Sequence, residues 1–444
     1  MKYAIFFMAL LGVPPLAVIL SLNKSLAKYA VWAMVGALAA YQSTSINFFS
    51  NETYRGSARG MEVSLAYLMA LALVILGAVK GRLRLVPSAG TWIFIAYFLL
   101  CLPSLATAEN LLFSWFEIWK MIMMYLTYLS VRAYLDVTGD VKSLLKGLAA
   151  FAVWNLLLIA KAHVSGVYQP NGSFAHQNCL AMAMLLFANL FFAVYMSEGW
   201  RGSWLYAAAF VAASGCVVRT YSRGAIAMLP VSFSVTFALT FLFAAKSSRG
   251  RVLSRIAPVA LAGLVGVAAI MPRVLERFQT APEESANTRV ELALCAREMI
   301  LDEPLRGVGI NNWGLKINYP YDYAERAGRF TNRGEDFADG VVETVYLLVG
   351  AECGLPALAA MVVWFLFYLF RCVRLSARLS GTLYAAIGAG LAGGLVANYL
   401  QSFLEWVLRQ QMNLIILMVF FALVDYIHAN ARRLKAEEGE RNAL

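Results

Sequence analysis

Asn178-Cys-Leu-Ala-Met-Ala-Met-Leu-Leu-Phe-Ala-Asn-Leu-Phe-Phe-Ala-Val-Tyr-Met-Ser197 is twenty residues without a charge. At about 1.5 Å per residue such a run spans the roughly 30 Å of a bilayer's hydrocarbon core as one α-helix. Similar runs recur at 3–21, 29–48, 62–79, 91–107, 114–134, 143–162, 203–218, 224–245, 256–272, 354–370, 382–402 and 411–427, about thirteen in all. The first contains Pro14 and Pro15 and reads as a bent or re-entrant span, retained because no small-residue cleavage site follows it. The 444 residues are 61% hydrophobic and 14% charged, with mean hydropathy +0.65. No soluble core buries that much apolar surface, and the runs lack the strict alternation of a membrane barrel. The sequence therefore predicts an all-α, polytopic transmembrane bundle of 12–13 spans with one long extracytoplasmic loop.

Four parts follow. Residues 1–272 form a helix bundle, 273–353 an extracytoplasmic loop and half-helix, 354–427 the last spans, and 428–444 a cytoplasmic tail. The basic loops set the orientation: Lys24 and Lys28, Lys80 to Arg84, Lys246 to Arg255, Arg371 to Arg378, and Arg432 to Lys435 fall on one side if the spans alternate. Lys and Arg are retained on the cytoplasmic side, so the net charge of +11 is a topology signal and calls for no nucleic-acid partner. Membrane lipids are the implied surroundings.

The stretch 273–340 falls on the other side and is slightly acidic, with nine basic and twelve acidic residues. From Arg289 to Ile300 it reads as an amphipathic helix capped by Asn287 and Thr288, lying on the membrane surface and broken at Asp302-Glu303-Pro304. Beyond the glycine turn at Gly307 and Gly309, residues Asn311, Asn312 and Trp313, with Tyr319, Tyr321 and Tyr323, have the composition of a carbohydrate-facing surface.

Charged residues in or beside apolar spans are costly and so are functional candidates. Glu117 and Lys120 are spaced to pair on one helix face. Glu343 and Glu352 lie in an apolar stretch, 341–370, too long for one straight span, whose start reads as a separate half-helix. Glu405 and Arg409 mark the last external turn. Arg219 and Arg223 share a face at the external boundary, where arginine is disfavoured unless an anion lies nearby. A guanidinium fork suits phosphate oxygens, and lipid-linked diphosphates are available at such a surface. The six cysteines read as small packing residues, and no Cys/His spacing suggests a metal; no cofactor is expected. His163 and His176 flank a short external loop and, as imidazoles, are candidates to change charge there, with a plain surface role the competing reading.

Four segments together resemble the bacterial O-antigen ligase and polymerase superfamily. They are Asn171-Gly-Ser-Phe-Ala-His176-Gln-Asn178-Cys-Leu-Ala181, Thr220-Tyr-Ser-Arg223-Gly-Ala225, the run from Arg289 through Asp302-Glu-Pro304-Leu-Arg-Gly307-Val-Gly309, and Tyr346 through Ala351-Glu352-Cys-Gly354-Leu-Pro356. The resemblance implies a metal-independent, inverting glycosyltransferase at the periplasmic face of the bacterial inner membrane. Its donor is a polyprenyl-diphosphate-linked glycan and its acceptor a glycan or a lipid core. The family's diphosphate-handling arginines match Arg223 and Arg289. Where its ligases usually carry His-Asn, this chain has Glu343-Thr344, so Glu343 becomes the expected base, with Tyr346 on its helix face and Arg219, Asn178 and His176 alongside. That departure favours a polymerase over a ligase. A secondary transporter or lipid-linked glycan flippase is the competing reading, although the chain lacks the two-fold repeat such proteins often show.

Overall fold

A computed structural model describes residues 2–197, 200–261, 283–317, 320–328 and 340–443. Its longer helices are α1 (Lys2–Leu22), α2 (Lys24–Ala39), α3 (Leu65–Val79), α4 (Ala89–Cys101), α5 (Leu111–Thr138), α6 (Val141–Val164) and α7 (Gln177–Ser197). They continue with α8 (Trp200–Arg219), α9 (Arg223–Leu242), α10 (Glu283–Asp302), α11 (Val345–Arg378), α12 (Leu383–Gln401), α13 (Gln411–Ala429) and α14 (Ala431–Ala443). Polar residues open several of them: Ser88, Asn110, Asp140 and Thr382 accept first-turn N–H groups of α4, α5, α6 and α12.

Among the described residues, eight helices are long and apolar enough to cross a membrane, and Ser25–Ala39, Leu65–Val79 and Trp204–Arg219 are shorter apolar helices. The protein is thus an all-α, multi-pass membrane bundle. One of the expected spans differs. The run 29–48 is not one helix: α2 ends at Ala39, and Ile46–Ser50 pairs antiparallel with Gly60–Val63. Polar Gln42, Ser43, Thr44 and Ser45 end the apolar run early, and alternation then favours a strand. Of the span expected at 256–272, residues 262–272 lie outside the described residues.

Three helices make the centre. In α7, α12 and α13, respectively 94%, 83% and 89% of the apolar window is buried inside the protein, against 22% for α1 and α9. Lipid gives no hydrophobic drive between helices, so close backbone approach has to supply the packing. Gly390 on α12 is the clearest case, since a Cβ there would sit 2.6 Å from the Leu190 backbone on α7. A polar bridge adds to it, with Asn189 on α7 donating to Ser232 on α9 at 2.9 Å and accepting from Thr236 at 2.7 Å.

Helix α11 breaks where the sequence predicts a half-helix. Gly354 has φ 82° and ψ 168°, a region essentially confined to glycine, and a Cβ there would lie 2.5 Å from the Leu305 carbonyl. The loop after α10 fills the break. Val308 N–H donates to Ala351 O at 2.8 Å, Gly309 N–H to Glu352 O at 3.1 Å, and Leu355 N–H to Pro304 O at 2.8 Å. The motifs at 302–309 and 351–356 therefore interlock, and their shared role is to seat the loop on the broken helix.

The basic loops gather at one end of the bundle, where Arg82, Arg84 and Arg433 line one cavity and Arg251, Gly381 and Glu438 another. The hairpin at 46–63, the turn at 219–223, the loop at 307–313 and the turn at 402–410 meet at the other.

Candidate active site

Under the loop end lies a buried charge network. Lys120 Nζ is 2.5 Å from Glu117, Arg409 Nη2 is 3.0 Å from Glu117, and Arg409 Nη1 is 2.7 Å from Glu352. Ser57 donates to Glu117 at 2.7 Å, and Lys120 donates to the Arg409 carbonyl at 2.8 Å. Two acids and two bases balance one another, which is how charge is carried at membrane depth. The expected Glu117–Lys120 pair is present, and Arg409 joins it to α11. Glu352 also accepts from Trp313 N–H at 3.3 Å, so its task is architectural. Glu352→Gln is expected to weaken the Arg409 contact, lowering the unfolding free energy in detergent by about 2 kcal/mol. Turnover per folded molecule should stay near normal; a specific loss of turnover at unchanged stability would contradict this.

Asn311, Asn312 and Trp313, expected to meet sugar, are buried to 0% exposure. Asn311 Nδ2 donates to Ala58 O at 2.9 Å and Phe113 O at 2.7 Å, and Asn312 Nδ2 donates to Ser114 Oγ at 2.8 Å. The Trp313 indole donates to Gly340 O at 3.3 Å. Their polar atoms are satisfied by protein, so these residues lock the 307–313 loop onto α5 and the hairpin and present no polar surface for a sugar. Tyr321 and Tyr323 stack on each other at 6.3 Å, and Tyr319 lies outside the described residues. The 289–300 helix also differs from expectation: it begins at Glu283, running through Asn287 and Thr288, and buries Leu292, Cys295, Ala296 and Met299 against α11 and the loop.

A second cluster sits at the same end of the bundle, at the ends of several helices. Arg289 Nε on α10 pairs with Glu343 Oε2, and the two side chains are 37% and 35% exposed, open enough for a ligand to reach. Val345 N–H at the start of α11 donates to Ser402 O at 3.1 Å, which brings Glu343 beside the 402–410 turn. There Phe403 meets the Tyr346 ring at 4.5 Å, and the Tyr346 hydroxyl donates to Tyr399 O at 2.9 Å. Tyr346 braces that turn.

Glu405 is the residue that motif reading left unused. Asn178 Nδ2, at the start of α7, donates to Glu405 Oε1 at 2.8 Å. Burial and the neighbouring Glu343 charge push the Glu405 carboxyl up to about 7, while Arg289 and Arg223 pull the other way. Arg223, first residue of α9, thus bears on the same carboxylate as Arg289. Burial holds His176 below its usual range, with Glu343 opposing, so its imidazole is neutral at pH 7. Arg219 is engaged on the neighbouring loop, bonded to His163 and, at 3.1 Å, to Tyr221, whose φ of 52° makes the tight turn into α9.

Asn178 lies in the first turn of α7, Arg223 opens α9 and Glu343 precedes α11, so three helix N-termini, whose dipoles favour an anion, border this cluster. Chemically the site offers two guanidinium groups, two carboxylates and a neutral imidazole. Among the described residues no group of three His, Cys, Asp or Glu side chains could hold a metal ion. Residues 208–362, which include Arg223, Arg289 and Glu343, match the family model described as O-antigen ligase. No curated protein matches the chain.

Proposed function

We propose, from the match of residues 208–362 to the family model described as O-antigen ligase, that the protein is an enzyme of membrane glycan ligation or polymerisation, transferring a glycan from a polyprenyl-diphosphate carrier by an inverting, metal-independent displacement. The acceptor hydroxyl attacks the anomeric carbon as the bond to the diphosphate oxygen breaks. Arg223 and Arg289 take up the charge that develops on the departing polyprenyl diphosphate, and the acceptor proton passes to Glu343. The observation that carries this reading is the Arg289–Glu343 pair. A diphosphate entering the cluster competes for Arg289 and so releases the Glu343 carboxylate when the donor is in place. The site faces the periplasm of the inner membrane, since the basic loops sit at the opposite end of the bundle. A carboxylate in place of the ligase His favours polymerisation, with a second carrier-linked glycan as acceptor.

Purified protein incubated with a lipid-linked oligosaccharide tests this directly. A ladder of products on a gel supports polymerisation, and a single shifted band on an added lipid core supports ligation. An unchanged donor under both conditions contradicts transfer.

The pH profile tests the carboxylate pair. Glu405 is mostly protonated below its raised pKa of about 7 and lends no charge to its neighbour there. Above it, Glu405 adds a second carboxylate charge to the cluster that holds Arg223 and Arg289. Transfer should therefore fall by up to about tenfold per pH unit below 7 and level off above it. Glu405→Gln should abolish that limb, and an unchanged profile would separate Glu405 from the chemistry. Stability moves the other way. A carboxyl raised from 4.5 to about 7 favours the folded state at low pH, and that contribution is lost as pH rises through the window.

A further inference from the structure

Helix α5 carries Glu117 near the transfer end and Arg132 fifteen residues later, about 22 Å further along at 1.5 Å per residue. At that far end lies a cavity of about 570 Å³ lined by Arg82 and Arg84 from the α3–α4 loop, Arg132 and Asp136 from α5, Tyr426 from α13 and Arg433 from α14. Four guanidinium groups face one carboxylate. Topology accounts for exposed arginines in loops, but it does not account for Arg132, which is 5% exposed. Its Nε donates to Asp136 at 2.9 Å and its guanidinium carbon stands 5.6 Å from the centre of the Tyr426 ring. Its Nη1 is buried and meets no protein acceptor. A buried guanidinium N–H without an acceptor is costly, and a second anion in the cavity would satisfy it. Arg433 is already drawn toward the same wall, donating to the Tyr426 hydroxyl at 2.7 Å.

We infer that this cavity is a binding site for a phosphate group, held by Arg132 with Arg84 and Arg433 at its mouth, and separate from the transfer site. Guanidinium forks match the spacing of phosphate oxygens, and the cavity has room for a phosphate with a glycerol attached. Two sources share that chemistry, the headgroup of an anionic phospholipid at the membrane surface and a soluble phosphate compound. Either one would bridge α5, α13 and α14. The assignment is independent of the reaction proposed for the other end.

Full-length protein in a neutral detergent tests it, with binding followed by native mass spectrometry and by the unfolding midpoint. The probes are short-chain phosphatidylglycerol, inorganic phosphate and short-chain diacylglycerol, at matched ionic strength. Phosphatidylglycerol should bind and raise the midpoint while diacylglycerol does not. An equal effect of inorganic phosphate at the same concentration identifies the soluble anion as the source, and a weaker one identifies the lipid headgroup. Arg132→Gln should weaken binding at least tenfold. Because that variant also disturbs Asp136, the exposed-side pair Arg84→Gln with Arg433→Gln serves as the second arm and should do the same in a protein of normal stability. No binding of either phosphate compound, or equal binding by wild type and the Arg84/Arg433 double variant, would overturn the proposal.

Discussion

Arg289→Ala should lower glycan transfer by about 10²–10³-fold, equivalent to about 2.7–4 kcal/mol of lost transition-state stabilisation, without unfolding the protein. Stability should hold because the side chain is more than one third exposed and exposed ion pairs contribute little to it, about 0–1 kcal/mol. The kinetic loss is large because the charge that Arg289 meets grows as the carrier departs. Arg223→Ala should cost a similar factor, and the double variant less than the product of the two, since both guanidinium groups act on one leaving group. Arg289→Lys should recover little, because an ammonium lacks the fork that spans two phosphate oxygens. Single-turnover assays with a labelled lipid-linked glycan separate the cases. A rate within about threefold of wild type for Arg289→Ala would remove the arginine from the transition state.

The legible parts of this molecule are those whose physics is local. Apolar length identifies spans, and an apolar stretch at 341–370 that is too long for one straight span predicts the broken α11. Glu117 and Lys120 pair because three residues is most of one helical turn. Arg223 stands out because an arginine in a turn expected to be external needs an anion. The less legible parts depend on contacts between residues far apart in the chain. Glu405 meets Asn178 across 227 residues, and Arg409 meets Glu117 across 292. Asn311 and Asn312 have the same composition whether they face sugar or seal a loop. What distinguishes the cases is the hairpin at 46–63, where Ala58 O and Ser57 wait for Asn311, and no periodicity in that short stretch announces it. The surface helix expected at 289–300 fails for a related reason, since an apolar stripe fits lipid and a neighbouring helix equally well, and here α11 is the neighbour.

The sharpest expectation concerns Glu343→Gln, and the ion pair gives it two halves with opposite signs. Glutamine keeps the size and hydrogen bonding of the side chain but accepts no proton at neutral pH, so transfer should fall by about 10²–10⁴-fold, the usual contribution of a general base. The same change removes the negative charge that occupies Arg289 before donor arrives. Donor diphosphate then no longer has to displace a carboxylate, and its affinity should rise, or at least hold, while turnover collapses. A residue that served only to position Arg289 would behave otherwise: its loss would weaken donor binding, and added donor would restore the rate. Equilibrium binding of a non-hydrolysable polyprenyl diphosphonate, measured beside single-turnover transfer, distinguishes the two roles. Near-normal turnover in a well-folded Glu343→Gln protein would exclude Glu343 as the base. The proton would then pass to Glu405 or His176, the two remaining proton acceptors of the cluster, and Glu405→Gln would become the inactivating change.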